Sequence, residues 1–133
     1  GRNTQGLMSS LSRLRSVTPT GATNLEAALG LLGKLNPTNI YVVTDGLPTR
    51  GTSSYKSLNP FSDCSALWGG AAKISGACRK RLFQHTVRSA PTVGATVNVV
   101  LLPIEGDPEA AQEYWNWAAA HSGTLISPAA SWP

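Results

Sequence analysis

The run Ile40-Tyr41-Val42-Val43, followed by Thr44-Asp45-Gly46, does most to limit what this chain can fold into. An unbroken stretch of apolar, strand-favouring residues reads as a parallel strand covered on both faces, with Asp45-Gly46 as the turn that closes it. A second run, Thr96 to Leu102, is the clearest strand in the chain, and Thr124-Leu125-Ile126-Ser127 reads as a short last one. Helical patterns fill the intervals, which is the alternation expected of parallel strands joined by crossover helices.

Each helix has its own signal. Leu7, Leu11 and Leu14 stand at i, i+4 and i+7 and form one apolar stripe. Thr23-Asn24-Leu25-Glu26 matches a capping box with Thr23 at the N-cap, and the face Leu25, Ala28, Leu29, Leu32, Leu35 is expected to be buried. Asn36-Pro37 ends that helix. Leu47 to about Asn59 is rich in Gly, Ser, Thr and Pro and reads as an exposed loop. Asp63 to Ala90 is mostly helical, with breaks expected near Gly69-Gly70 or Gly76. Its apolar face is Leu82, Phe83, Thr86, Val87 and Ala90. Asp107-Pro108-Glu109 opens the last helix with Asp107 as cap, and Gly123 stops it. The expected fold class is α/β: a Rossmann-like parallel sheet of about three strands flanked by helices, in one domain over 1–133. In such sheets ligands bind at the carboxyl ends of strands, where Asp45 stands.

Composition narrows the function classes. The 133 residues, 41% of them apolar, suffice for a core and argue against disorder. No apolar run approaches the roughly 20 residues that cross a bilayer, and the polar opening residues do not read as a signal peptide. Part of the net charge of +4 is clustered in Arg79, Lys80, Arg81 and Arg88. That cluster reads as a solvated helix face, or alternatively as an attractor of nucleic acid, anionic lipid or an acidic protein. Cys64 and Cys78 read as one disulfide, worth roughly 3 kcal/mol for a loop of this size, which implies a periplasmic, cell-envelope or extracellular setting. Two buried reduced thiols, compatible with the cytoplasm, are the alternative.

Two loops concentrate oxygen donors: Thr18 to Asn24, ahead of a helix, and Thr44 to Thr49, after a strand. Hydroxyl and carboxylate oxygens suit a hard cation such as Mg²⁺. Local roles compete for the same residues, since Thr23 serves equally as a cap and Asp45 as a turn residue. Pro19-Thr20-Gly21-Ala22-Thr23-Asn24-Leu25 resembles the threonine loop of von Willebrand factor A domains. Ile40-Tyr41-Val42-Val43-Thr44-Asp45-Gly46 is similar to the hydrophobic strand of that family, and the spacing between the two motifs suits one helix. Tyr114-Trp115, with Ser127-Pro128 and Trp132-Pro133, is similar to the ending of bacterial members.

The resemblance implies a metal-ion-dependent adhesion site. Thr23 would give a hydroxyl ligand and Asp45 a carboxylate, direct or through water, to Mg²⁺ or Mn²⁺. Thr20, Gly21, Asn24 and Gly46 would line the ligand-binding loops. The open metal position would accept an acidic side chain of a protein partner, which is binding without turnover. The family's first loop, Asp-x-Ser-x-Ser, is absent, and Ser9-Ser10 lies in a helical pattern and does not replace it. Completing the site is therefore expected to need the N-terminal half that carries this loop. The same half would hold a strand beside residues 39–46. Without it the edge at 40–43 is expected to be covered by a separate fragment or by a second copy of the chain.

Other classes fit less well. There is no Gly-x-Ser-x-Gly elbow, phosphate loop or His-Glu-x-x-His helix, and His85 and His121 fall on helical patterns, so an enzyme is not expected. A nucleic-acid module would rest on the basic helix 79–88, with Phe83 stacking, although Phe83 fits the apolar face. A metal-independent scaffold is the remaining alternative. Trp115, Trp117 and Trp132 read as core and its border.

Overall fold

The structure is a computed structural model and describes residues 4–16, 23–51, 75–90, 94–103 and 107–128. The elements run α1 (Thr4–Arg15), α2 (Leu25–Gly33), β1 (Asn39–Thr44), α3 (Gly76–Ser89), β2 (Thr96–Leu101), α4 (Ala110–Ala120) and β3 (Leu125–Ile126). The three strands form one parallel sheet in the order β1-β2-β3, so the α/β class read from the sequence holds. Asn39 pairs with Thr96 and Thr44 with Leu101, while Val99 and Val100 pair with Leu125 and Ile126.

One face of this sheet is buried. Ile40, Val97, Val99 and Leu101 join Leu25 and Leu29 of α2, Phe83 of α3, and Ala110, Tyr114, Trp117 and Ala118 of α4 in a single cluster. Aromatic rings centre it. Phe83 meets Tyr114 edge-on at 4.7 Å between centroids and Trp117 at 5.9 Å, geometries the ring quadrupoles favour. The other face is open, with Tyr41 74% and Val43 67% exposed, and Ile126 on the same side exposed as well. The expectation that the run Ile40–Val43 is covered on both faces is therefore corrected. The alternation of strand side chains sends Ile40 and Val42 to the core and leaves Tyr41 and Val43 outside.

Helix ends depart from expectation in three places. Asn24 caps α2, its Oδ1 accepting the Ala27 N–H at 3.0 Å, so Thr23 is not the N-cap and Glu26 stands one place short of a capping box. The helix stops at Gly33, and Asn36 turns the chain with φ of 48°. Leu35, beyond that stop, is thus 74% exposed, and Ala28 also faces solvent; Leu25, Leu29 and Leu32 keep the core side. After α4 the left-handed residue is Ser122, at φ of 55°, rather than Gly123. Gly123 has a different reason to be glycine, because a Cβ there would run into the Val97 carbonyl of β2.

Of the apolar stripe of α1, Leu7 and Leu11 are exposed, as is Met8 beside them. The predicted break near Gly76 is the start of α3, where Ser75 Oγ accepts the Cys78 N–H at 3.2 Å. Trp117 is core and Trp115 is 56% exposed, while Trp132 and the expected helical stretch from Asp63 to Ile74 lie outside the described residues.

Candidate functional site at the carboxyl end of the sheet

Parallel strands direct their carboxyl ends the same way, so the segments that leave β1 and β2 meet. The turn after β1 is held by side chains from three other places in the chain. Asp107, just before α4, accepts the Leu47 N–H on Oδ2 at 2.7 Å. The same oxygen accepts Arg79 Nη2, from the first turn of α3, at 2.8 Å. Arg79 Nη2 also donates to the Leu47 carbonyl at 2.7 Å. Tyr114 of α4 donates its hydroxyl to the Gly46 carbonyl at 3.1 Å, and Thr44 Oγ1 donates to that carbonyl at 2.9 Å.

These bonds are sheltered. The Asp107 side chain is 6% exposed and that of Arg79 is 21% exposed, so the charge-assisted contacts are screened far less than surface pairs. Burial pushes the Tyr114 hydroxyl up to about 12, because its phenolate would lose water; the hydrogen bond with Thr44 pulls the other way. Gly46 leaves no room for a side chain, since a Cβ there would stand 2.7 Å from Asp107 Oδ2. Its use at this turn is thus a matter of close approach.

The threonine loop reaches the same place by its backbone. The Thr23 carbonyl accepts the N–H groups of Thr49 at 3.1 Å and Arg50 at 3.0 Å. The end of one motif is thereby tied to the segment that follows the other. Asp45 stands exposed on the braced turn, and Thr23 is exposed at the entry to α2. Asn24, expected in the ligand-binding loop, has its side-chain oxygen engaged as the α2 cap. Thr20 and Gly21 lie outside the described residues, as does Cys64; Cys78 is buried at the start of α3.

A hard cation prefers about six oxygens, several of them water. Asp45 and Thr23 are donors of the right kind, but they do not fit such an ion as a complete site. The nearest further carboxylate to this turn, Asp107, has one oxygen occupied by both Arg79 and the Leu47 N–H. Among the described residues no group of three or more His, Cys, Asp or Glu is placed to hold a metal. An ion of this kind would need oxygen donors beyond these two residues.

The sequence reading missed Arg79, Asp107 and Tyr114. Asp107 was assigned to a cap, yet Glu109 is the N-cap residue of α4 and makes no side-chain cap bond. Arg79 and Lys80 were read as part of a solvated basic face. Arg79 departs from that reading as the part-buried partner of Asp107, whereas Lys80 stays on the solvated face, where its ion pairs with Glu109 and Glu113 hold its ammonium pKa above the usual value, through the Glu109 hydrogen bond first.

A second concave feature, a cleft of about 290 Å³, lies between α2 and α3 and is lined by Asn24, Glu26, Leu29, Thr86 and Ser89 among others. Thr86, which also lines it, is only 2% exposed. No helix among the described residues is long and apolar enough to cross a membrane. No protein-family model matches the chain, and no curated protein or solved structure matches it.

Proposed function

We propose that this chain is a non-enzymatic protein-binding module of the von Willebrand factor A type, presenting Asp45 at the carboxyl end of its sheet to a partner with an acidic group through a Mg²⁺ or Mn²⁺ ion. The observation that carries the reading is the tie between motifs: the Thr23 carbonyl accepts two N–H groups from the segment after Asp45. An exposed carboxylate on a turn braced from three sides is suited to contact a ligand without rearranging, which lowers the ordering cost of binding. The remaining oxygen donors come from a segment with the Asp-x-Ser-x-Ser loop, and the open flank of β1 is where that segment, or a second copy of the chain, would sit. The metal, when bound, would supply a positive charge that a carboxylate can complete; Asp45 and Thr23 would give only part of its ligands and that segment the rest.

Calorimetric titration of Mn²⁺ into the wild-type chain and an Asp45→Ala variant tests this. Weak binding that disappears in the variant is expected. No Mn²⁺ binding by the wild type would remove the metal from the reading.

That outcome would leave a metal-independent scaffold, which the bracing favours on its own terms. Arg79, Asp107, Tyr114 and Thr44 fix the turn with no ion required. The nucleic-acid alternative is weakened by the pairing of Arg79 and Lys80 with carboxylates, which leaves Arg81 and Arg88 as the exposed members of the cluster.

A further inference from the structure

Asp45-Gly46 is the only Asp-Gly step in the chain, and no Asn-Gly step occurs. In such a step the glycine nitrogen can reach the preceding carboxyl carbon, and no Cβ on the glycine hinders the approach. Ring closure joins Gly46 N to Asp45 Cγ, while the N–H proton and the hydroxyl of the protonated carboxyl leave as water. Water then opens the succinimide. Attack at Cγ restores aspartate. Attack at the main-chain carbonyl gives isoaspartate, with the chain routed through Cβ and the carboxylate carried on Cα. Water is the sole reagent.

Closing that ring requires the Asp45–Gly46 peptide to rotate out of its place, and the groups around it are anchored. Ahead of it, the Thr44 carbonyl accepts the Leu102 N–H at 2.8 Å. At the step itself the Gly46 N–H, which carries the nucleophile, donates to Thr44 Oγ1 at 3.4 Å. The Gly46 carbonyl and the Leu47 N–H belong to one peptide group, and that group is held at both ends. Its oxygen accepts the Tyr114 and Thr44 hydroxyls, and its N–H donates to Asp107. Gly46 is buried, whereas Asp45 is exposed. Among the described residues no hydrogen bond or ion pair engages the Asp45 carboxylate, so the restraint falls on the backbone.

We propose that Asp45 is a latent site of covalent ageing, an aspartate that isomerises spontaneously once the clasp made by Thr44, Tyr114 and Asp107 opens. In the folded chain, conversion proceeds only through local opening of the turn, so its rate follows the fraction of time the clasp is broken. The product does not fit the closed turn. Isomerisation adds a methylene to the main chain beside Gly46, where even a Cβ would press on Asp107. It also draws the carboxylate one bond closer to the main chain. Loss of ligand binding at Asp45 is a consequence that rests on the metal-dependent reading; the isomerisation itself does not.

Incubation at constant temperature and mildly acidic pH tests this, with isoaspartate counted by enzymatic methylation and located by peptide mapping. The arms are the folded wild type, the wild type unfolded in urea, Tyr114→Phe and Ile40→Val. The folded wild type is expected to convert about tenfold or more slowly than the unfolded chain. Tyr114→Phe keeps the ring and removes one bond from the Gly46 carbonyl, and is expected to speed conversion about fivefold. Ile40→Val loosens the core at the far end of β1 and is expected to leave the rate near that of the wild type. Melting of each variant checks that it is folded during incubation. Equal rates in the folded and unfolded wild type overturn the proposal, as does a chain that forms no isoaspartate at residue 45 even in urea. Tyr114→Phe converting at the wild-type rate overturns the clasp. Equal acceleration by Ile40→Val and Tyr114→Phe does so too, because global unfolding would then set the rate. Metal is absent from every arm, so the outcome is independent of the metal-dependent reading.

Discussion

The two faces of β1 carry similar residues and live in different solvents. Ile40 and Tyr41 are neighbours in sequence, yet Ile40 is 3% exposed against the helices and Tyr41 is 74% exposed on the far side. Hydrophobicity alone predicts neither outcome. What separates them is which side has helices to offer: α2, α3 and α4 all contribute to the Ile40 side, and their buried residues form one cluster with it. An apolar strand thus marks capacity for burial, and the neighbouring elements decide how much of it is used.

Substitutions on the two faces should differ sharply, and the widest gap is expected at Ile40. Ile40→Ala empties part of the core and should cost about 2–5 kcal/mol in urea unfolding. A cost under about 1 kcal/mol would mean that the core side is no better packed than the open one.

The next effect follows from Tyr114 on the same core side. Its pKa, raised to about 12 from 10.0 by burial, means that the native state holds its proton more tightly than the unfolded chain. The stability so gained is fully present below pH 10 and is lost as pH rises from 10 to 12, about 2–3 kcal/mol in all. Unfolding free energies of the wild type and Tyr114→Phe across that window check the sign, since the variant should show a shallower decline.

Asp107→Asn should cost about 2 kcal/mol, because it removes the charge that Arg79 faces while a carbonyl oxygen can still accept the Leu47 N–H. Asp107→Asn combined with Arg79→Met should cost less than the sum of the two single changes, and additivity in that cycle would deny the coupling. The smallest effect is predicted on the open face. Val43→Thr should change monomer stability by less than about 0.5 kcal/mol in dilute solution.

Periodicity carried the element order, because helices and strands imprint different repeats on a sequence. It also picked out the buried Leu25, Leu29, Leu82 and Phe83. It failed at Leu35, which continues the helical repeat beyond the point where Lys34 has already closed the helix on Leu31 and Leu32. The two site loops were legible as motifs, and the structure joins them through the Thr23 carbonyl, a backbone contact that no side-chain pattern announces. Arg79 and Asp107 were illegible for a related reason. Their meeting at the Leu47 peptide depends on two crossovers returning the chain to the same end of the sheet, and local spacing does not encode that return.

The parallel pairing has a kinetic consequence. Residue 39 meets residue 96, and residue 99 meets residue 125, so among the described residues no hairpin joins one strand of the sheet to its neighbour. Helices can form early from local contacts, but each strand pairing must wait for a long loop to close, which places this chain among the slower folders for its size. During that wait Ile40 to Val43 has neither its core nor its neighbour, and an uncharged stretch of this composition is then most open to contact with other chains.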